Sequence, residues 1–77
     1  MDVVASLREA IVKSIEGAVV EVSPGSPGHY ALVVTAPFFA GKSMLESQRA
    51  VYSAIAHLMK GDGAPVHAID KLTTRAG

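Results

Sequence analysis

Apolar residues recur at helical spacing near the start of the chain, at Val4, Leu7, Ile11 and Ile15, while Arg8, Glu9, Lys13 and Glu16 take the other faces. The pattern predicts a helix over residues 2–16, with Asp2 as its N-cap and Gly17 as its stop. Residues 18–23 are rich in β-branched side chains and read as a strand. Pro24-Gly25-Ser26-Pro27-Gly28 is a loop by composition. A second strand follows over residues 29–35. Its apolar run after His29 suggests burial on both faces or a central position. Pro37 and Gly41 break residues 36–42, where Phe38 and Phe39 are expected to be partly buried. Ser43-Met44-Leu45-Glu46 fits a capping box and opens a helix that runs to about Lys60. Met44, Val51, Ile55 and Leu58 form its apolar stripe, with Tyr52 and Met59 alongside and Glu46, Ser53, His57 and Lys60 opposite. Residues 61–65 turn the chain, residues 66–72 read as a third strand, and residues 73–77 as a frayed tail.

The order is helix, strand, strand, helix, strand, in a single domain spanning residues 1–77. A short loop joins the first two strands, so they should pair antiparallel. A helix joins the second and third, so they should be parallel, with a right-handed crossover. Both helices then cover one face of a three-stranded mixed sheet, an α+β architecture. Parallel strands start at the same end of a sheet, and neighbours lie about 4.8 Å apart. His29 opens the second strand and His67 stands at the start of the third. Two histidines 38 positions apart in sequence are thereby expected to be close in space.

Composition narrows the chemistry. The 77 residues contain no cysteine, which excludes a disulfide, a zinc ribbon, a conventional iron–sulfur site and a thiol nucleophile. Any metal must use His, Asp or Glu, or ligands supplied by a partner. Half the residues (49%) are apolar, enough material for a core. A domain this small buries only about 60% of the surface its unfolded chain exposes. Seven Lys and Arg balance seven Asp and Glu, which argues against a strong electrostatic grip on nucleic acid. No apolar run approaches the roughly 20 residues that span a bilayer. Met1-Asp2-Val3-Val4 lacks the basic and apolar regions of a signal peptide, so the expected setting is cytoplasmic, with no membrane partner.

The candidate sites each have a plain alternative. Gly41-Lys42-Ser43 matches the tail of a phosphate-binding loop, but Ala36 stands where the pattern needs Gly and Pro37 removes a donor, so a turn and helix cap is favoured. His29 and His67 are ordinary strand-end residues on the plain reading. Their convergence favours metal ligation, since imidazole is a common ligand near neutral pH. Two ligands leave a site incomplete, and on residue chemistry alone the plain reading stands slightly ahead. His57, near a helix C-terminus on the polar face, reads as solvated. No Ser–His–acid set and no carboxylate pair follows from the spacing, so no enzyme is expected. Lys42 and Arg49, around the start of the second helix, are the candidates for phosphate contact in a helix-turn-helix-like surface, against the blander reading of a solvated helix face.

The ordered set His29-Tyr30, Phe39-Ala40-Gly41-Lys42-Ser43, Gln48-Arg49-Ala50-Val51-Tyr52 and Val66-His67-Ala68-Ile69 resembles the BolA-like proteins, and within them the IbaG type. The resemblance covers nearly the whole chain and implies a fold like the class II KH domain. It also implies a non-enzymatic role in iron–sulfur metabolism and a monothiol glutaredoxin as partner. In such complexes a 2Fe–2S cluster is bridged between the two proteins, with thiolates from the glutaredoxin Cys and glutathione. His67 matches the ligand near the C-terminal strand, and His29 the proposed second ligand. Two imidazoles on one iron would resemble a Rieske arrangement, in which His ligation raises the reduction potential, and would make binding sensitive to pH. The isolated chain is expected to hold no cofactor. The alternative that the resemblance carries is a nucleic-acid-binding stress regulator acting through Lys42 and Arg49. Ser47-Gln48-Arg49 stands where the family often has Arg-His-Arg, which weakens that alternative. Residues 61–65 look slightly longer than the family's loop. Thr73-Thr74-Arg75 stands where an acidic, Trp-bearing helix usually follows, so no partner contact through that helix is expected.

Overall fold

The computed structural model describes residues 2–77. Its elements are α1 (Val3–Ser14), β1 (Val19–Pro24), β2 (His29–Thr35), one turn of 3-10 helix (Pro37–Phe39), α2 (Met44–Met59) and β3 (Ala68–Arg75). The sheet order is β1-β2-β3, with β1 antiparallel and β3 parallel to the central β2. This is the α+β arrangement that the element order predicts.

Local chemistry sets the helix ends. The Asp2 carboxylate accepts from the Ala5 N–H at 3.2 Å and caps α1. The helix ends at Ser14, two residues before the spacing predicts, because Ile15 turns extended and buries its side chain in the core. At α2 the Ser43 hydroxyl accepts from the Glu46 N–H (3.1 Å) and the Glu46 carboxylate accepts from the Ser43 N–H (3.0 Å). The capping box is complete. Hydrogen bonding to the Ser43 backbone N–H, and after it to the Ser43 hydroxyl, holds the Glu46 carboxyl below its usual range.

One core lies between the helices and one face of the sheet. Leu7 and Ile11 of α1 and Val51, Ala54, Ile55 and Leu58 of α2 bury against Val20, Leu32 and Val34. Burying each of the larger of these side chains, Ala54 apart, contributes about 1.5–3 kcal/mol. No helix among the described residues is long and apolar enough to cross a membrane.

The structure also departs from the sequence expectations elsewhere in the core and the sheet. Met44, placed on the α2 stripe by its spacing, is 74% exposed. It is the first helical residue, and Ser47 (3% exposed) holds the end of the stripe instead. Phe39 is buried while Phe38 is exposed. Val66 does not open β3: its N–H donates to the Leu58 carbonyl at 3.1 Å, so it docks on the end of α2 and the strand starts at Ala68. Residues 73–75 are strand rather than frayed tail. Thr73, Thr74 and Arg75 pair with Val33, Val34 and Thr35, and the Ala36 N–H donates to the Arg75 carbonyl at 2.9 Å.

Candidate functional site

The parallel pairing of β2 and β3 brings the two candidate histidines to one end of the sheet. His29 is the first residue of β2, and its register partner is Ala68. His67 therefore sits one residue before the paired segment, rather than on its first rung. The backbone ties it there: the His67 N–H donates to the Gly28 carbonyl at 2.8 Å, and the Ala68 N–H reaches the same oxygen at 3.2 Å. The preceding residue, Val66, is 1% exposed and anchors the approach, while His67 itself is exposed.

Gly28 provides the seat for the His67 ring. It has φ +81, a conformation that side chains strongly disfavour. A β-carbon on Gly28 would meet His67 Nδ1 at 2.6 Å and Cγ at 2.7 Å. The imidazole thus occupies the space that any other residue would fill. The loop that carries Gly28 is closed on the other side by two backbone bonds: Gly25 N–H to the His29 carbonyl and His29 N–H to the Ser26 carbonyl, both 2.8 Å.

A third side chain joins the site. Asp70 Oδ1 lies 2.9 Å from His29 Nδ1. Asp70 is there because of a β-bulge. Tyr30 pairs with Ile69 but Ala31 pairs with Lys71, so Asp70 is the extra residue of β3. A bulge re-aims a side chain that regular alternation would place elsewhere. The sequence carried a sign of it. Ile69 and Leu72 both pack against the core, yet they are three apart, and strand alternation cannot send both to one face without an inserted residue. Sequence spacing alone pairs Asp70 with no other functional group.

Among the described residues, no group of three or more His, Cys, Asp or Glu side chains is gathered to hold a metal. The donor set at this end is two imidazoles, one of them already hydrogen-bonded through Nδ1. That set is suited to supplying part of a coordination sphere completed from outside, and not to enclosing an ion.

The other candidate residues lie elsewhere. Lys42 Nζ sits over the Phe38 ring, 4.3 Å from its centroid, and Arg49 is exposed on α2. The Ser43 hydroxyl that a phosphate loop would use is taken by the helix cap. A cleft of about 350 Å³ between the helices, lined by Ser6, Glu9, Ala10, Lys13, His57 and Leu58, contains none of these residues.

Known proteins share both the fold and the sequence pattern. The solution structure of mouse BolA1 superposes with a TM-score of 0.71 at 26% identity, covering 99% of this chain and 68% of that one. Yeast Fra2 matches with a TM-score of 0.64 at 30% identity, over 91% of this chain and 74% of its own. BolA1 from Arabidopsis thaliana, at 19% identity, shares the fold with a TM-score of 0.67, over 92% and 88% of the two chains. No curated protein sequence matches significantly. The sequence profile of the family described as BolA-like protein matches residues 8–76, which is nearly the whole chain, and the chain belongs to that family.

Proposed function

We propose that this chain is a non-enzymatic adaptor in iron–sulfur cluster metabolism, which binds a monothiol glutaredoxin and shares a 2Fe–2S cluster with it through His67 and His29. The observation that carries this reading is the placement of two accessible histidines at one end of the β2–β3 pair, one seated on Gly28 and the other tied to Asp70. A chain without Cys cannot supply thiolates. The glutaredoxin Cys and glutathione would supply them, and the two histidines would complete the sphere. Such a mixed ligand set raises a cluster's reduction potential, which suits cluster handover or sensing.

Nucleic-acid recognition through Lys42 and Arg49 has less support. The chain carries no net charge, and duplex binding draws its affinity from several phosphate contacts.

The test is to add the chain to a cluster-loaded monothiol glutaredoxin and record visible circular dichroism. A new spectrum is expected, lost with His67→Ala and less severely changed with His29→Ala. No spectral change on mixing, or an unchanged spectrum with His67→Ala, overturns the reading. Nucleic-acid binding that falls steeply with salt and depends on Lys42 and Arg49 would favour the alternative.

A further inference from the structure

Among the described residues, His29 and Asp70 form the one side-chain pair at this end of the sheet with a direct hydrogen bond, 2.9 Å between Nδ1 and Oδ1. The pair is open to water, with side chains 38% and 55% exposed. Exposed pairs of this kind contribute only about 0–1 kcal/mol to stability. The bond's larger consequence is orientational. An ionised carboxylate only accepts hydrogen bonds, so a neutral His29 must place its proton on Nδ1 to make this one. Its lone pair is then on Nε2, at the opposite edge of the ring. Both partners are held by backbone structure. His29 is fixed between Gly25 and Ser26 by two 2.8 Å bonds, and Asp70 is the inserted residue of the bulge.

We propose that Asp70 is a positioning residue, which fixes His29 in the Nδ1–H tautomer and so makes Nε2 the nitrogen that ligates metal. The metal part rests on the shared-cluster reading, whereas the tautomer part concerns the isolated chain. Carboxylates behind ligating histidines act in this way, setting the tautomer and ring orientation. Among the described residues, no carboxylate is hydrogen-bonded to His67. Its ring is placed by the bare Cα of Gly28 instead, so the two imidazoles are set by different means.

The tautomer is read directly by two-bond proton–nitrogen correlation spectra of the isolated chain, taken well above the ordinary imidazole pKa of about 6.5. Wild type should show a protonated Nδ1 and a bare Nε2 at His29. Asp70→Ala should move His29 toward the Nε2–H form, while Asp70→Asn, whose amide oxygen still accepts, should keep Nδ1–H. A bare Nδ1 in wild type, or no change with Asp70→Ala, overturns the proposal. In the glutaredoxin titration, Asp70→Ala should weaken cluster sharing by about 10- to 100-fold, with Asp70→Asn restoring it. An Asp70→Ala chain that titrates like wild type overturns the metal assignment. If wild type takes up no cluster while the tautomer still follows Asp70, the shared-cluster reading falls and the positioning role stands.

Discussion

The His67 imidazole occupies the space where a β-carbon on Gly28 would sit, with Nδ1 only 2.6 Å from that position. Two penalties therefore meet in a Gly28→Ala variant. The left-handed backbone costs about 1–2 kcal/mol with a β-carbon present, and the His67 ring must move aside. We expect a lower urea midpoint, shifted His67 ring resonances and impaired cluster sharing, with the His29 tautomer preserved. Unchanged His67 resonances would show that the ring does not rest on Gly28.

The capping box gives α2 a dependence on acid. The Glu46 carboxyl is held below its ordinary value of 4.5 by the Ser43 bonds. A group with a depressed folded pKa contributes stability above its unfolded pKa and loses it as pH falls through the folded value. Stability should therefore decline below about pH 4.5. Glu46→Gln keeps an accepting oxygen without the charge and should flatten that part of the acid limb. Ser43→Ala should cost about 1 kcal/mol at neutral pH. Thermal melts of the two variants across pH check both statements. Parallel acid limbs for wild type and Glu46→Gln would remove Glu46 as a contributor.

Removing residues 73–77 should destabilise the domain. The cut deletes three register pairs of β3 with β2 and leaves the buried Ala36 N–H without the Arg75 carbonyl. Losing a buried partner alone costs about 1–3 kcal/mol. A melting temperature equal to wild type would show that the strand ends near Leu72.

Ile55 is fully buried in α2 and faces the single core. Ile→Ala at such a site costs about 2–5 kcal/mol, while a domain of this size has roughly 4–12 kcal/mol of total stability. Ile55→Ala should therefore be largely unfolded at moderate urea. The exposed Met44→Ala should melt within about 0.5 kcal/mol of wild type. Equal losses at the two positions would contradict the burial difference between them.

Particular residues show how far the sequence reached. The bounds of β2, the parallel crossover and the capping box follow from local pattern and element order, because each rests on neighbours in sequence. The placement of His29 and His67 at one end of the sheet followed from the same order. What escaped depends on partners distant in sequence. Thr73 and Thr74 look like tail until Val33 and Val34 are there to pair with them. Met44 has the right angular position on α2, but the core ends before it. Asp70 becomes part of the site only through the bulge, and Gly28 becomes indispensable only once the His67 ring lies against it.

The extra residue in β3 also makes the site separable from the fold. Asp70 stands between Ile69, which pairs with Tyr30, and Lys71, which pairs with Ala31. Deleting it would set Ile69 and Leu72 two positions apart, the spacing at which strand residues share a face, and would leave the other pairs of the register as they are. The hydrophobic phase of the last strand does not depend on the inserted residue, whereas His29 loses its carboxylate with it. A lineage could therefore gain or shed this contact by one inserted or deleted residue without exchanging the faces of β3.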